Sequence, residues 1–194
     1  MFRLIIAILI IVSCLLLTGC PQKPSFPEPI NKQTTPTQAT RYLSWHLRTN
    51  LTKFTRLANQ LNHIKQLKHF QPQSTEAISS LIDSGMWKTD SLSYQLQQRF
   101  SHAVTQLGIH SILKKGDTLV MHMGSATDNN ISSQYNLVFN PQGLVNQGFV
   151  ANSSKDRLSC EPQYLTTQYP NTNFGTCYVK LAEGWYIHHS YQHL

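Results

Sequence analysis

The chain has 194 residues and a formal net charge of +7, and only 13% of its residues are charged. This length suits one domain that is large enough to bury a real hydrophobic core, which argues against several sizeable domains. A basic surface favours anionic partners, such as lipid headgroups, lipopolysaccharide phosphates or nucleic acid.

The first residues form a short apolar segment that ends at a cysteine. The run from Leu4 to Leu17 spans 14 residues after Arg3, and Leu17-Thr18-Gly19-Cys20 closes it. A membrane-spanning helix needs about 20 apolar residues, so this run is typical of the hydrophobic part of a signal peptide. The segment closely resembles the lipobox of bacterial lipoproteins. An ordinary secretory signal and an uncleaved anchor are the alternatives.

The resemblance implies that a peptidase cuts before Cys20, that the Cys20 thiol carries a diacylglycerol, and that the new amino terminus is acylated. Two or three acyl chains anchor a protein stably in a membrane. By the same resemblance, Pro21 in place of an aspartate indicates the outer membrane, with the domain facing the periplasm. This location excludes nucleic acid and leaves membrane lipid, lipopolysaccharide and other envelope proteins as partners.

Two cysteines remain once Cys14 leaves with the signal peptide and Cys20 is lipidated, and these are Cys160 and Cys177. A single pair in an oxidising compartment predicts a disulfide. Closing a loop of this length stabilises a fold by about 3 kcal/mol in the chain-entropy view. The alternative is a Cys/His metal site, for which only two sulfurs are available.

Residues 21–39 contain five prolines and few bulky apolar residues, which predicts an extended tether. We therefore expect a signal peptide at residues 1–19, the lipidated cysteine and tether at residues 20–39, and a single periplasmic α+β domain at residues 40–194.

An amphipathic stripe predicts a long first helix from about Thr40 to Phe70, which Pro72 would end. This segment carries cations and no acid, although surface helices ordinarily mix both signs to gain ion pairs four residues apart. One interpretation is a solvated basic face in a generally basic protein, and the other is docking on an anionic surface or partner. The residues that would bind the anionic partner are Arg41, Arg48, Lys53, Arg56, Lys65 and Lys68.

Shorter helices are predicted at Ser74–Ser84 and Asp90–Leu107, each with a capping residue at its start and a glycine after its end. The apolar period then changes from 3.6 to 2, which indicates strands. Three hairpins are expected: Ile109–Leu113 with Thr118–Met123, Gln134–Phe139 with Leu144–Val150, and Thr176–Leu181 with Trp185–Tyr191. The order predicts an α+β fold, with N-terminal helices packed on a C-terminal antiparallel sheet of about five or six strands that carries one disulfide.

The sequence contains no nucleophile elbow, zinc-protease motif, P-loop or dinucleotide-binding motif. Histidine is the only enriched catalytic residue type, with His188, His189 and His193 near the end and His122 on an earlier strand. Such a cluster could bind zinc or copper, but its place beside the terminus favours polar strand residues without a metal. Ser125 is a candidate nucleophile close to His122, although a serine beside a glycine is more typical of a turn.

The segment Glu183-Gly184-Trp185-Tyr186-Ile187-His188-His189 resembles the last hairpin of NTF2-like domains, which fold as a cone of helices against a curved antiparallel sheet. The resemblance covers about ten residues and implies a fold rather than an activity.

These observations predict a non-enzymatic protein with no metal site and no cofactor, apart from the covalent lipid on Cys20. We expect a lipid-anchored outer-membrane protein that acts as an accessory or structural subunit of an envelope, secretion or pilus assembly. Two alternatives remain. One is a periplasmic ligand-binding module of the NTF2-like kind, and the other is an envelope hydrolase that would use His122, His188 and His189.

Overall fold

The computed structural model describes residues 27–128, 131–144 and 174–193. Three α-helices and one six-stranded antiparallel sheet occupy these ranges, which confirms the predicted α+β class. The helices are α1 (Pro36–Asn62), α2 (Thr75–Asp83) and α3 (Leu92–Gln106). The strands are β1 (His69–Phe70), β2 (Ser111–Lys115), β3 (Thr118–Asp128), β4 (Ile131–Phe139), β5 (Phe174–Ala182) and β6 (Trp185–His193). Their order across the sheet is β1-β2-β3-β4-β6-β5.

The hydrophobic core lies between α1 and one face of the sheet, where α1 contacts β3, β4 and β6. Phe54 of α1 meets Trp185 of β6 edge to face, with ring centroids 5.8 Å apart, and the ring of Phe139 also packs on Trp185, with centroids 4.8 Å apart.

No helix within the described ranges is both long enough and apolar enough to cross a bilayer. Cys20 and Cys160 lie outside the described residues, so the lipid and the disulfide stay predictions.

Helix α1 begins at Pro36, four residues before the predicted start at Thr40. The Thr35 hydroxyl accepts a hydrogen bond from the Gln38 backbone amide, and the Gln38 side chain accepts one from the Thr35 amide. This reciprocal capping box satisfies two amides that a helix start leaves unpaired, and proline is well suited to the first helical position. The cap therefore lies inside the segment that the proline count assigned to the tether.

The segment before α1 also packs against the domain. Ile30 is partly buried against the core, Thr34 is buried, and the Thr127 amide donates a hydrogen bond of 3.0 Å to the Lys32 carbonyl. Within the described residues, the chain is thus fixed to the end of β3 from about Ile30 onward.

The predicted end of the first helix at Phe70 is wrong, because α1 ends at Asn62. The Lys114 ammonium, which comes from β2, donates hydrogen bonds to the carbonyls of Leu61, Asn62 and Ile64 at 3.4, 2.6 and 2.9 Å. A cation at this position satisfies the unpaired carbonyls and complements the helix dipole. Desolvation lowers the pKa of Lys114, and the nearby Asp117 opposes that shift. Lys65 and Lys68 consequently lie beyond the helix, and His69–Phe70 pairs with β2 instead.

Helix α1 is kinked at Asn50, whose φ of −119° and ψ of 19° are not helical. The Asn50 side-chain amide donates to the His46 carbonyl at 3.2 Å and so replaces part of the backbone hydrogen bonding there. Such side-chain competition is a recognised cause of helix bending. Next to the kink, His46 donates from Nε2 to the Leu107 carbonyl at 2.9 Å, which ties α1 to the end of α3.

The two shorter helices match their predicted positions to within two residues. The predicted cap at Ser74 is confirmed, since its hydroxyl accepts from the Ala77 amide at 3.2 Å. The third helix is capped by Ser91 and not by Asp90, because the Ser91 hydroxyl accepts from the Tyr94 amide.

The first and third predicted hairpins are confirmed as β2–β3 and β5–β6. The second is wrong, because β4 is paired along its whole length with β3 on one side and β6 on the other. Both edges of β4 are therefore occupied by other strands, and residues 145–150 of the predicted partner lie outside the described residues. The predicted turn after β4 nevertheless forms, with the Gly143 amide donating to the Asn140 carbonyl at 3.1 Å. The hairpin partner of β4 is β3, which precedes it by two residues.

Candidate functional site

The sheet has a core face toward the helices and a second face, here called the outer face. On β6, Trp185, Ile187 and His189 lie on the core face, and Tyr186 and His188 alternate with them onto the outer face. Val138 of β4 packs with Tyr186 in a small second cluster, so β4 residues of that parity share the outer face. Asn136 belongs to that set and is only 5% exposed.

A β-bulge in β3 changes which side chains reach the outer face. The pairing of β3 with β4 shifts between His122 and Gly124, so one extra residue is present on β3. Strict alternation would place His122 and Ser125 on opposite faces, three residues apart. The bulge places Ser125 on the face of His122, and Met123 and Ala126 are buried on the core face. Bulges commonly re-aim a side chain in this way.

Gly124 is necessary for this bulge. Its φ of +153° is a backbone conformation that residues with a side chain rarely adopt. A Cβ atom at this position would lie 2.8 Å from Ile30 Cγ2, which is closer than such atoms approach. The glycine therefore permits both the backbone path and the close approach of the segment before α1.

Four polar side chains form a continuous chain of hydrogen bonds on the outer face. The Ser125 hydroxyl lies 3.3 Å from His122 Nε2, and His122 Nδ1 lies 3.1 Å from Asn136 Oδ1. Asn136 Nδ2 lies 3.1 Å from His188 Nδ1. His122, Asn136 and His188 are direct cross-strand partners on β3, β4 and β6, so the sheet register itself aligns them. We call these residues the polar chain.

The amide of Asn136 fixes the protonation of both histidines. In the orientation that the structure gives the amide, its oxygen accepts from an N–H at His122 Nδ1 and its nitrogen donates to a bare His188 Nδ1. His122 Nε2 is then an acceptor that faces the Ser125 hydroxyl. Burial lowers the pKa of His188 to about 4, so this imidazole stays neutral near pH 7. Tyr178 stacks on His188 with ring centroids 4.5 Å apart.

The histidines that the sequence grouped together are divided between the two faces. His122 and His188 share the outer face, but His189 lies in the core, where it is 5% exposed and stacks 4.7 Å from Tyr135. Burial, together with the neighbouring His188, lowers the pKa of His189 to about 4. The described ranges contain no group of three His, Cys, Asp or Glu residues placed to hold a metal ion. His193 is the last residue of β6, and its side chain is not among those that the structure describes.

All six cations of the predicted anionic-partner site are exposed. Arg41, Arg48 and Arg56 lie on the side of α1 that faces away from its buried stripe, and Lys53 flanks them. Lys65 and Lys68 follow the end of the helix. Arg41 also borders a cavity of about 410 Å³ that Glu28 and Gln38 share. The structure thus brings four of the six onto one helix side and places the other two beyond its end.

Comparison of the chain with protein-family models, with curated proteins and with solved structures gives no match. The sequence predicts His122, His188 and Ser125 as candidates, but it does not predict Asn136. An isolated asparagine in a strand gives no signal, and only the register of β3, β4 and β6 shows that it joins two histidines.

Proposed function

We propose that this protein is a lipid-anchored, periplasm-facing outer-membrane protein that serves as an accessory or structural subunit of an envelope, secretion or pilus assembly. In this proposal the lipid on Cys20 holds it at the membrane, residues 20–29 form the tether, and a disulfide joins Cys160 to Cys177. Contacts to anionic lipid or to an envelope protein are made by the exposed cations of α1 and of the segment after it, which we call the basic surface: Arg41, Arg48, Lys53, Arg56, Lys65 and Lys68.

The lipobox-like segment before Cys20 supports the anchor, and the exposure of the whole basic surface is the observation that carries the docking role. Lys114 illustrates the other possibility, because its ammonium is half-buried and satisfies three carbonyls of the fold. The six cations of the basic surface are exposed and do not fill such a structural role. Lys53 and Arg56 lie three residues apart on α1, where like charges repel one another by about a few tenths of a kcal/mol. An anionic surface would relieve this repulsion and attract each cation by about 1 kcal/mol.

Reversing the charge of Arg48, Lys53 and Arg56 to glutamate is expected to weaken binding to anionic phospholipid vesicles by about a hundredfold. The measurement uses the chain from residue 20 with Cys20→Ser, so that acyl chains do not mask the electrostatic contribution. The thermal midpoint should change little, because all three residues are exposed. In detergent extracts, the same triple change in the lipidated protein should also release the envelope proteins that co-purify with wild type.

The matched control reverses Lys88, Arg99 and Lys180, which are exposed elsewhere and alter net charge equally. This variant should lose no more than about tenfold in vesicle binding, through the long-range field alone. Equal losses in the two triples would show that only net charge matters. A large drop in thermal midpoint for the first triple would show that these residues serve the fold, and either result would contradict the proposed docking surface.

A further inference from the structure

We infer that Ser125 is an activated nucleophile, that His122 is its general base, and that together they transfer acyl groups from carboxylic esters. This activity goes beyond the proposed docking role, which requires no reaction. The inference rests on the polar chain of the outer face and is independent of the basic surface on α1.

Two contacts are expected of an activated nucleophile, one from the nucleophile to its base and one from the base to an orienting group, and both are present. Ser125 Oγ is 3.3 Å from His122 Nε2, within reach for proton transfer once a substrate is bound. His122 Nδ1 is 3.1 Å from Asn136 Oδ1, which holds the imidazole in the tautomer that leaves Nε2 free to accept a proton. A hydroxyl, an imidazole and an orienting acceptor in this sequence are the recurring arrangement of acyl-transfer enzymes on unrelated folds.

The local backbone is shaped to bring these groups together. Without the bulge between His122 and Gly124, Ser125 would face the helices. The bulge needs the φ of +153° at Gly124, a conformation that disfavours any side chain. An ordinary polar serine on the surface of a strand would need neither the bulge nor the unusual backbone of Gly124. Ser125 is exposed, so a substrate can reach its hydroxyl from solvent.

Asn136 is a positioning residue in this arrangement. It is 5% exposed, and an amide buried to this degree is costly unless its groups are hydrogen-bonded. His188 meets this need by accepting from Asn136 Nδ2 at 3.1 Å. If the amide turned over, its nitrogen would face His122 Nδ1 and the tautomer of His122 would reverse. In the orientation seen here, the bond to His188 satisfies Asn136 Nδ2 and leaves Asn136 Oδ1 for His122 Nδ1.

The reaction balances with Ser125, His122, the ester and water. Ser125 Oγ attacks the ester carbonyl carbon while its proton moves to His122 Nε2. The carbon–oxygen bond to the alcohol then breaks, and the alcohol leaves with that proton, so an acyl ester remains on Ser125. Water attacks this ester with His122 again taking a proton, which releases the carboxylic acid and restores the hydroxyl. Because Ser125 is exposed, solvent surrounds the oxyanion and turnover is expected to be slow.

The test is covalent labelling of the full lipidated chain in detergent with a fluorophosphonate probe, followed by mass spectrometry of the modified peptide. We expect one adduct, on Ser125, that Ser125→Ala abolishes and Ser190→Ala leaves unchanged, since Ser190 lies on the outer face of β6, two strands from β3 and outside the polar chain. His122→Gln should slow the labelling about a hundredfold, the contribution typical of a general base. No adduct on Ser125, or equal rates in wild type and His122→Gln, would overturn the inference.

The positioning role of Asn136 is tested with two substitutions in the same assay. Asn136→Asp keeps an oxygen that accepts from His122 Nδ1 and should retain labelling within about threefold. Asn136→Leu removes that acceptor and should slow labelling about a hundredfold. The unfolding midpoint of this variant is measured in parallel to show that it is folded. If the two variants label equally, Asn136 does not position His122 and the inference fails in this part.

Discussion

Acidification from pH 7 to pH 4 is expected to lower the free energy of unfolding by about 3 kcal/mol through His189 alone. His189 is buried in the core, and its pKa is lowered from the ordinary value of 6.5 to about 4. Each unit of difference corresponds to about 1.4 kcal/mol between the two protonation states. His188, whose pKa is also lowered to about 4 by burial, adds a loss of similar order.

The sign follows from where the proton binds more readily. Between pH 6.5 and pH 4 the unfolded chain takes up a proton at His189 that the folded chain does not, so acid favours unfolding. The contribution of His189 is fully present above pH 6.5 and is lost as the pH falls through the folded pKa near 4. Below that pH both states are protonated and the loss levels off.

Urea unfolding at pH 7, 6, 5 and 4 measures this effect. The variant His189→Phe keeps an aromatic ring beside Tyr135, so stability at pH 7 should change by less than about 1.5 kcal/mol. Between pH 7 and pH 4, the free energy of unfolding of this variant should fall by about 3 kcal/mol less than that of wild type. The control His102→Gln alters an exposed histidine of α3 and should follow wild type. A pH dependence that is the same in His189→Phe and wild type would contradict the buried neutral state.

Replacing Gly124 with alanine is expected to destabilise the fold by about 3 kcal/mol. The added Cβ would lie 2.8 Å from Ile30 Cγ2 and 2.9 Å from Ile30 Cβ, so the segment before α1 must shift away from β3. The φ of +153° adds backbone strain, whatever space is made. The two causes can be separated, because only one of them involves Ile30.

A double-mutant cycle with Ile30→Ala measures the steric part. In the Ile30→Ala background, Gly124→Ala should cost about 1 kcal/mol less than in wild type, since the clash with Ile30 Cγ2 is gone and only that with the atom at Cβ remains. Gly85→Ala supplies the control for backbone strain, because Gly85 has a φ of +76° and nothing within 4 Å of an added Cβ. An equal cost of Gly124→Ala in both backgrounds would show that Ile30 does not pack on the bulge as described.

Local signals in the sequence were sufficient for the elements that local contacts determine. The cap at Ser74, the position of α3 and the turn at Asn140–Gly143 follow from nearby residues, and all three are present. The start of α1 was also available, since Thr35 and Gln38 have the spacing of a capping box. The five prolines of residues 21–39 predict a tether instead, and that prediction takes no account of the cap.

Long-range contacts decided the features that the sequence did not reveal. Leu67 and Phe70 continue the helical spacing beyond Asn62, but Lys114, some 50 residues later, binds the carbonyls where α1 ends. Similarly, the neighbours of β4 depend on where β6 inserts into the sheet. The polar chain was equally hidden, because its members lie on three strands and meet only through register and one bulge.

Metabolic labelling with radioactive palmitate tests the central claim most directly, since location, disulfide and docking all depend on a lipid at Cys20. The wild-type protein should incorporate label, Cys20→Ser should incorporate none, and Cys14→Ser should label like wild type because Cys14 leaves with the signal peptide. An unlabelled wild type, or a labelled Cys20→Ser variant, would contradict the proposed anchor.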